Sequence, residues 1–247
     1  MKTPSHPSDI SKRRSPVAFT LTETVIAIGV LAVLLTGFIA VFTPAAQGIR
    51  RSISSEQADR LTTTLENELA TLRIGQETPE PATGFNKAFD WIQKGNTVAT
   101  AIFVYQYRGD PAGTPRADGT PPPKLTITGV PGKDYIVQSM ARRLSDPQLE
   151  NDLKAIEGSV FFVKTTQLVF AAGELKPGTP GKIMNADTPA TEATDAAAYK
   201  EAVIAFSAEF HNVPTKSIAY LKSPAFTARY TSTTNKPIFT RNLAVRR

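Results

Sequence analysis

The sequence predicts an α+β fold, with a long N-terminal transmembrane and amphipathic α-helix packed on a mainly antiparallel β head domain. Three observations lead to this prediction. Residues 25–42 contain no charge over 18 positions. Apolar residues then recur at helical spacing through residues 49–73. Beyond residue 80, segments rich in β-branched and aromatic residues alternate with stretches rich in Pro, Gly and Asp.

These patterns divide the chain into four parts. We assign residues 1–18 to a basic leader and residues 19–43 to an apolar helix. Residues 44–75 continue this helix as an amphipathic stalk, and residues 80–247 form a β-rich head. A membrane span needs about 20 apolar residues, so the apolar helix is long enough to cross a bilayer.

Charge predicts the orientation of this span. The leader holds four basic residues and one acid, which favours a cytoplasmic leader and a C-terminal domain on the outer side of the inner membrane. Arg50 and Arg51 beyond the span reduce the difference in positive charge between its two sides. Loss of the leader lowers the formal net charge from +6 to +3. The basic balance of the whole chain is therefore poor evidence for a nucleic-acid partner.

The junction of leader and helix carries a recognisable motif. Residues 13–28 place two arginines and a Phe-Thr-Leu-x-Glu motif ahead of about 20 apolar residues. This order resembles the processing and methylation signal of type IV prepilins and of the pseudopilins of type II secretion. Two positions depart from the family pattern: Ala18 stands where Gly is usual, and Thr22 stands where Ile or Val is usual.

The resemblance implies that a prepilin peptidase cuts between Ala18 and Phe19 and methylates the new amine of Phe19. It also implies recognition and assembly roles at the next matching positions, Thr20, Leu21 and Glu23. The implied protein is a structural, minor subunit without enzymatic activity or a cofactor. Its partners would be the peptidase, other pilin or pseudopilin subunits and inner-membrane lipid, with no nucleic acid expected.

Physical chemistry gives Glu23 a role of its own. An acid at the centre of a membrane helix costs roughly 2.5–3.5 kcal/mol, and less near an end, so such a group usually has a partner. Cleavage before Phe19 would create an α-amine about one helical turn away. A pair between the amine of one subunit and Glu23 of the next could contribute up to ~4 kcal/mol before desolvation. Such a pair would favour one axial offset between subunits.

Other interpretations of the apolar helix stay open. An ordinary signal peptide could be cleaved near residues 44–46, and a plain membrane anchor would need no cleavage at all. Either one would leave a tethered or secreted binding domain without a filament role. A DNA-binding minor pilin is a further alternative, based on the C-terminal cluster of Arg241, Arg246 and Arg247. Within the helix, Pro44 and Gly48 predict a kink or a partial loss of helix.

The head domain is predicted to consist mainly of strands. A short helix is expected at residues 147–156 with Asp146 as its N-cap. Residues 108–124, 173–181 and 185–195 are predicted loops. Strands are expected at residues 98–107, 125–128, 135–138, 160–170, 202–210, 226–231 and 238–245.

Few residues in the head suggest chemistry. The chain has no cysteine, which excludes disulfides and thiolate metal sites. His211 is interpreted as a structural residue near a strand end. Asp187, Glu192 and Asp195 raise a calcium hypothesis, but their spacing does not match a calcium loop, and a solvated surface loop is the preferred interpretation.

Overall fold

The computed structural model describes residues 20–74, 83–187 and 189–247. The chain divides into two compact units, Met1–Ile49 and Arg50–Arg247. The leader, Ala18 and Phe19 lie outside the described residues, as do residues 75–80 at the predicted end of the stalk.

Helix α1 (Leu21–Ala70) runs through both units. Its apolar window is unburied and is long and apolar enough to cross a membrane, although a signal sequence or the core helix of a soluble protein meets the same test. The backbone stays helical through Pro44 and Gly48. The expected partial loss of helix is therefore wrong, whereas a kink at these positions stays a prediction.

The second unit contains a six-stranded sheet. The order β2-β1-β3-β5-β6 is antiparallel throughout, and β4 pairs with the end of β3. The strands are β1 (Ile102–Gly109), β2 (Ile136–Arg143), β3 (Ile156–Ala171), β4 (Glu174–Pro177), β5 (Val203–Asn212) and β6 (Phe239–Arg246). The remaining helices are α2 (Gly84–Lys94), α3 (Pro147–Leu153), α4 (Ile218–Leu221) and α5 (Pro224–Thr231), with a 3₁₀ turn at Val98–Thr100.

Two hydrophobic cores cover the two faces of this sheet. On one face, leucines of α1 such as Leu61 and Leu65 pack with α2 and with Phe161 of β3. On the other face, Phe162 of β3 packs with Phe226 of α5 and with residues of α3. The predicted α+β class, a long N-terminal helix with a β domain, is confirmed at this level.

Most predicted head elements have a counterpart in the structure, and three differ from the prediction. Residues 226–231 belong to α5 rather than to a strand, because Ser223 caps the amide of Phe226 and proline occupies the first turn. Residues 125–128 form no strand. Helix α2 was not predicted. The short helix α3 is confirmed, with Asp146 accepting a 2.8 Å bond from the amide of Gln148.

Candidate functional site

The first described residues form a closed set of hydrogen bonds at the start of α1. The backbone N–H of Thr20 donates to Oε2 of Glu23 at 2.9 Å, and the Thr20 hydroxyl lies 3.0 Å from the same oxygen. In return, the N–H of Glu23 donates to the Thr20 hydroxyl at 3.2 Å. This reciprocal pattern is a capping box, which satisfies amide groups that have no partner within the helix.

Glu23 therefore has a partner within its own helix. This partner was not predicted from the sequence, although Thr-x-x-Glu ahead of an apolar run is the signature of a capping box. A carboxylate at this position also interacts favourably with the positive end of the helix dipole. Leu21 is exposed beside it. The pair between Glu23 and the amine of Phe19 stays a prediction, because Phe19 is not described.

The capping box and an intermolecular pair are compatible in geometry. The described bonds to the Glu23 side chain all end on Oε2. Among the described residues, Oε1 has no donor. A carboxylate has about four lone-pair sites and accepts several hydrogen bonds at once. The box can therefore fix the rotamer of Glu23 while Oε1 accepts a bond from another chain.

The three acids of the calcium hypothesis do not converge. Asp187 pairs with Lys200 at 2.7 Å, and Glu192 pairs with Lys182 at 2.8 Å. Asp195 accepts two backbone amides of the turn that follows it. In the described parts of the chain, no group of three His, Cys, Asp or Glu residues has a metal-binding arrangement. These contacts favour the predicted surface loop.

The C-terminal arginines also have partners within the head. Arg241 forms a 2.6 Å ion pair with Asp59 of α1. Arg247 donates to two backbone carbonyls, and its guanidinium lies over the ring of Phe85 at 4.7 Å. Arg246 is exposed. The basic cluster of the DNA-binding hypothesis therefore does not form a shared groove.

The most strongly connected charge in the head is Arg142 of β2, which is buried on the α3 face of the sheet. Its guanidinium binds three carboxylates, Asp118 and Asp146 at 2.8 Å and Asp152 at 2.9 Å. Asp152 is fully buried and also accepts a 2.6 Å bond from Arg116. We call Arg142 and its three carboxylates the arginine cage. It joins the long β1–β2 loop to α3 and the sheet.

The cage changes the acidity of its members. Burial alone raises the pKa of Asp118, but hydrogen bonds from Thr120 and from the guanidinium of Arg142 outweigh it and lower the pKa to about 2. Burial likewise acts to lower the pKa of Arg142, and the carboxylates of Asp152 and Asp146 reverse this and raise it. Asp118 and Arg142 therefore keep their charges at neutral pH, and the cage acts as a structural clamp.

His211 lies where the sequence placed it, buried near the end of β5. Its ring stacks on Phe162 with a centroid distance of 4.7 Å. Its Nε2 lies 3.6 Å from a carboxylate oxygen of Glu209, on the floor of an open cleft of about 590 Å³ that Lys164 also lines. The ring stacking and the burial fit the structural interpretation.

A scan against protein-family models found no match, and neither a search of curated proteins nor a search of solved structures returned one. The residues and geometry of the chain itself are therefore the evidence for its function. Thr20 and Glu23 belong both to the Phe-Thr-Leu-x-Glu motif and to the capping box at the start of α1.

Proposed function

We propose that the chain is a minor pilin or pseudopilin subunit, which a prepilin peptidase processes and which assembles into a type IV pilus-like or type II secretion-like filament. The observation that carries the proposal is the first turn of α1. Its motif residues Thr20 and Glu23 are joined by reciprocal hydrogen bonds, directly ahead of an uncharged helical segment of membrane-spanning length. A carboxylate held at that position suits a binding partner with a positive charge.

The second unit supports the same proposal. Residues Leu61, Leu65 and Leu69 on the C-terminal part of α1 are buried against the antiparallel sheet. The family resemblance implies this combination of a helix and an antiparallel sheet. Together with the apolar stretch, one helix then carries both an assembly segment and a contact to a head domain.

The proposed mechanism uses Oε1 of Glu23. Cleavage before Phe19 would leave its α-amine as the nearest new positive charge. In a filament, the amine of one subunit would donate to Oε1 of Glu23 in the next, while Oε2 keeps its bonds to Thr20. At about 4 Å and an effective dielectric near 20, such a pair contributes up to ~4 kcal/mol before desolvation. The capping box would reduce the entropic cost of holding the carboxylate in place.

The N-terminus of the mature chain tests the proposal directly. We would isolate the protein from cells that contain a prepilin peptidase and determine its first residue by mass spectrometry. A chain that begins at N-methylated Phe19 is the expected result. A chain cut near residue 46, or one with an intact leader, would refute the filament proposal and favour a secreted or tethered binding domain.

Two matched variants separate capping from charge. Glu23→Gln keeps a side chain that can complete a capping box but removes the charge. Thr20→Ala removes the capping hydroxyl at a cost of about 1 kcal/mol but keeps the charge. We expect Glu23→Gln to abolish assembly while membrane insertion persists, and Thr20→Ala to retain assembly. Processing is measured in both variants, so that a cleavage defect is not mistaken for an assembly defect. Equal assembly of wild type and Glu23→Gln would contradict the proposed role of the charge.

A further inference from the structure

One segment of the head is suited to strand pairing, but no described strand pairs with it. Residues 125–128 read Leu-Thr-Ile-Thr, an alternating pattern with three β-branched residues. In the structure they are exposed, and within the described part of the chain their backbone groups have no hydrogen-bond partner. Leu125 is 59% exposed and Ile127 is 78% exposed. We call residues 125–128 the free strand.

A free strand with exposed apolar side chains is a feature that proteins normally protect. Unpaired N–H and C=O groups along an extended segment form a template for pairing with another chain. Val130 in the same loop and Val137 on the edge strand β2 are also exposed apolar residues. The loop is not loose at its base, because the amide of Lys124 donates to the carbonyl of Arg108 at 2.7 Å.

A second exposed apolar feature lies on the β3–β4 hairpin. Ala172 and Gly173 form its two-residue turn, and both have positive φ angles, as tight hairpin turns require. Phe170 and Leu175 are directly opposite each other and are 75% and 57% exposed. Strand β4 pairs with β3 on one side, and no described strand pairs with its other edge. We call this edge the hairpin edge.

The strand register places the two features at opposite ends of the sheet. The β1–β2 loop follows the end of β1, where Tyr107 pairs with Ile156 at the start of β3. The hairpin edge lies at the other end of β3, beside Ala171. Fifteen residue steps of about 3.3 Å separate these points by roughly 50 Å. The free strand therefore cannot pair with the hairpin edge of its own chain.

We propose that the free strand of one copy pairs with the hairpin edge of a second copy. Main-chain hydrogen bonds would extend the β3–β4 ribbon by one strand, and Leu125 or Ile127 would cover Phe170 and Leu175. The two surfaces differ and lie at opposite ends, so the contact is heterologous. Contacts of this kind build head-to-tail assemblies, which are rings where the rotation between copies closes and open chains where it does not.

The size of the contact favours a second copy over a partner from solution. A few exposed side chains fall short of the roughly 1,200–2,000 Å² that a stable complex buries. Such a contact becomes populated when the partners are already held together, because the effective concentration is then high. Copies anchored in one membrane by α1 meet this condition. This step rests on the membrane anchoring in the proposed function, but not on cleavage or on Glu23.

Cysteine cross-linking tests the contact. The chain has no cysteine of its own, so only the introduced cysteines of this protein can form a disulfide. Full-length chains with Ile127→Cys and with Leu175→Cys, each with a different tag, are co-expressed and oxidised in membranes with copper phenanthroline. We expect a disulfide-linked dimer that carries both tags, and no dimer from either variant alone. Val203→Cys in place of Leu175→Cys is the matched control, because Val203 is an exposed apolar residue at the same end of the sheet. We expect no cross-link with this control.

Three outcomes would overturn the proposal. They are a dimer from Ile127→Cys alone, a cross-link to Val203→Cys as strong as to Leu175→Cys, and a cross-link only to another protein. A further variant, Thr126→Pro, removes a backbone donor that is unpaired in the single chain. It should leave the melting temperature unchanged and abolish the cross-link. The experiment is repeated with Glu23→Gln, where the cross-link should persist even if filament assembly fails.

Discussion

Replacing Arg142 with methionine is the most informative perturbation of the head. The guanidinium is 2% exposed and binds three carboxylates at 2.8–2.9 Å. Methionine has a similar length and can fill much of the space, but it provides no donor and no charge. The fully buried Asp152 would keep Arg116 and the hydroxyl of Tyr105 as partners and lose Arg142. The change therefore leaves an undercompensated buried carboxylate.

The structure sets the size of the effect. Removing one partner of a buried ion pair costs about 3–5 kcal/mol, because the remaining charge stays desolvated. Most of this cost arises at Asp152, since Asp118 and Asp146 lie closer to the surface and can regain water. For a domain of this size, each kcal/mol lowers the melting temperature by about 2–4 °C. Arg142→Met should therefore lower it by roughly 6–20 °C.

The assay is thermal unfolding of the full-length chain in detergent, followed by circular dichroism. Arg241→Met is the matched control. It makes the same substitution in an ion pair with Asp59 whose side chains are 53% and 49% exposed. Exposed pairs contribute about 0–1 kcal/mol, so this control should shift the melting temperature by less than about 4 °C. Equal shifts for the two variants would refute the assignment of the cage as a buried clamp.

Three further predictions concern the same unit. Because the pKa of Asp118 is lowered to about 2, its ionisation stabilises the fold above about pH 4, and this contribution is lost as the pH falls toward 2; Asp118→Asn should weaken the pH dependence of urea unfolding in that window. Leu65→Ala should cost about 2–5 kcal/mol in the same unfolding assay, whereas Leu175→Ala at an exposed position should cost much less. Gly84→Ala should lower the melting temperature, because a Cβ there would lie 2.8 Å from the carbonyl carbon of Ala70 and would push α2 away from the end of α1.

Local signals in the sequence were sufficient for much of the fold. The apolar helix follows from the length of an uncharged segment, and α3 follows from Asp146 and the proline after it. The capping box was equally local and could have been found from Thr20 and Glu23 alone. At residues 226–231, in contrast, the local composition predicted a strand and the prediction was wrong. Aromatic and β-branched residues favoured a strand there. The cap at Ser223 and the packing of the segment on the sheet instead stabilise the helix α5.

The arginine cage could not be predicted in this way. Its carboxylates Asp118, Asp146 and Asp152 come from a loop, a helix cap and a helix. Their sequence separations from Arg142 follow no regular pattern. The cage depends on the register that places Arg142 opposite Phe103, and so on the α3 face of the sheet. Sequence patterns predict which residues are buried, but they do not predict this pairing of strands.

Asp118 of the arginine cage lies in the same loop as the free strand, and this connection yields a final prediction. Asp118 fastens the loop to Arg142, and Thr120 lies within reach of the same guanidinium at 3.3 Å. The backbone of residues 125–128 beyond them has no hydrogen-bond partner among the residues that the structure describes. A loop that only connected β1 to β2 would not need a buried clamp at its base. The clamp makes sense if it holds the free strand in a fixed position for a second copy. Arg142→Met, assayed below its melting temperature, should then lose the cross-link between Ile127→Cys and Leu175→Cys while Arg241→Met retains it. A cross-link of unchanged strength in a folded Arg142→Met chain would show that the cage stabilises the head without positioning the free strand.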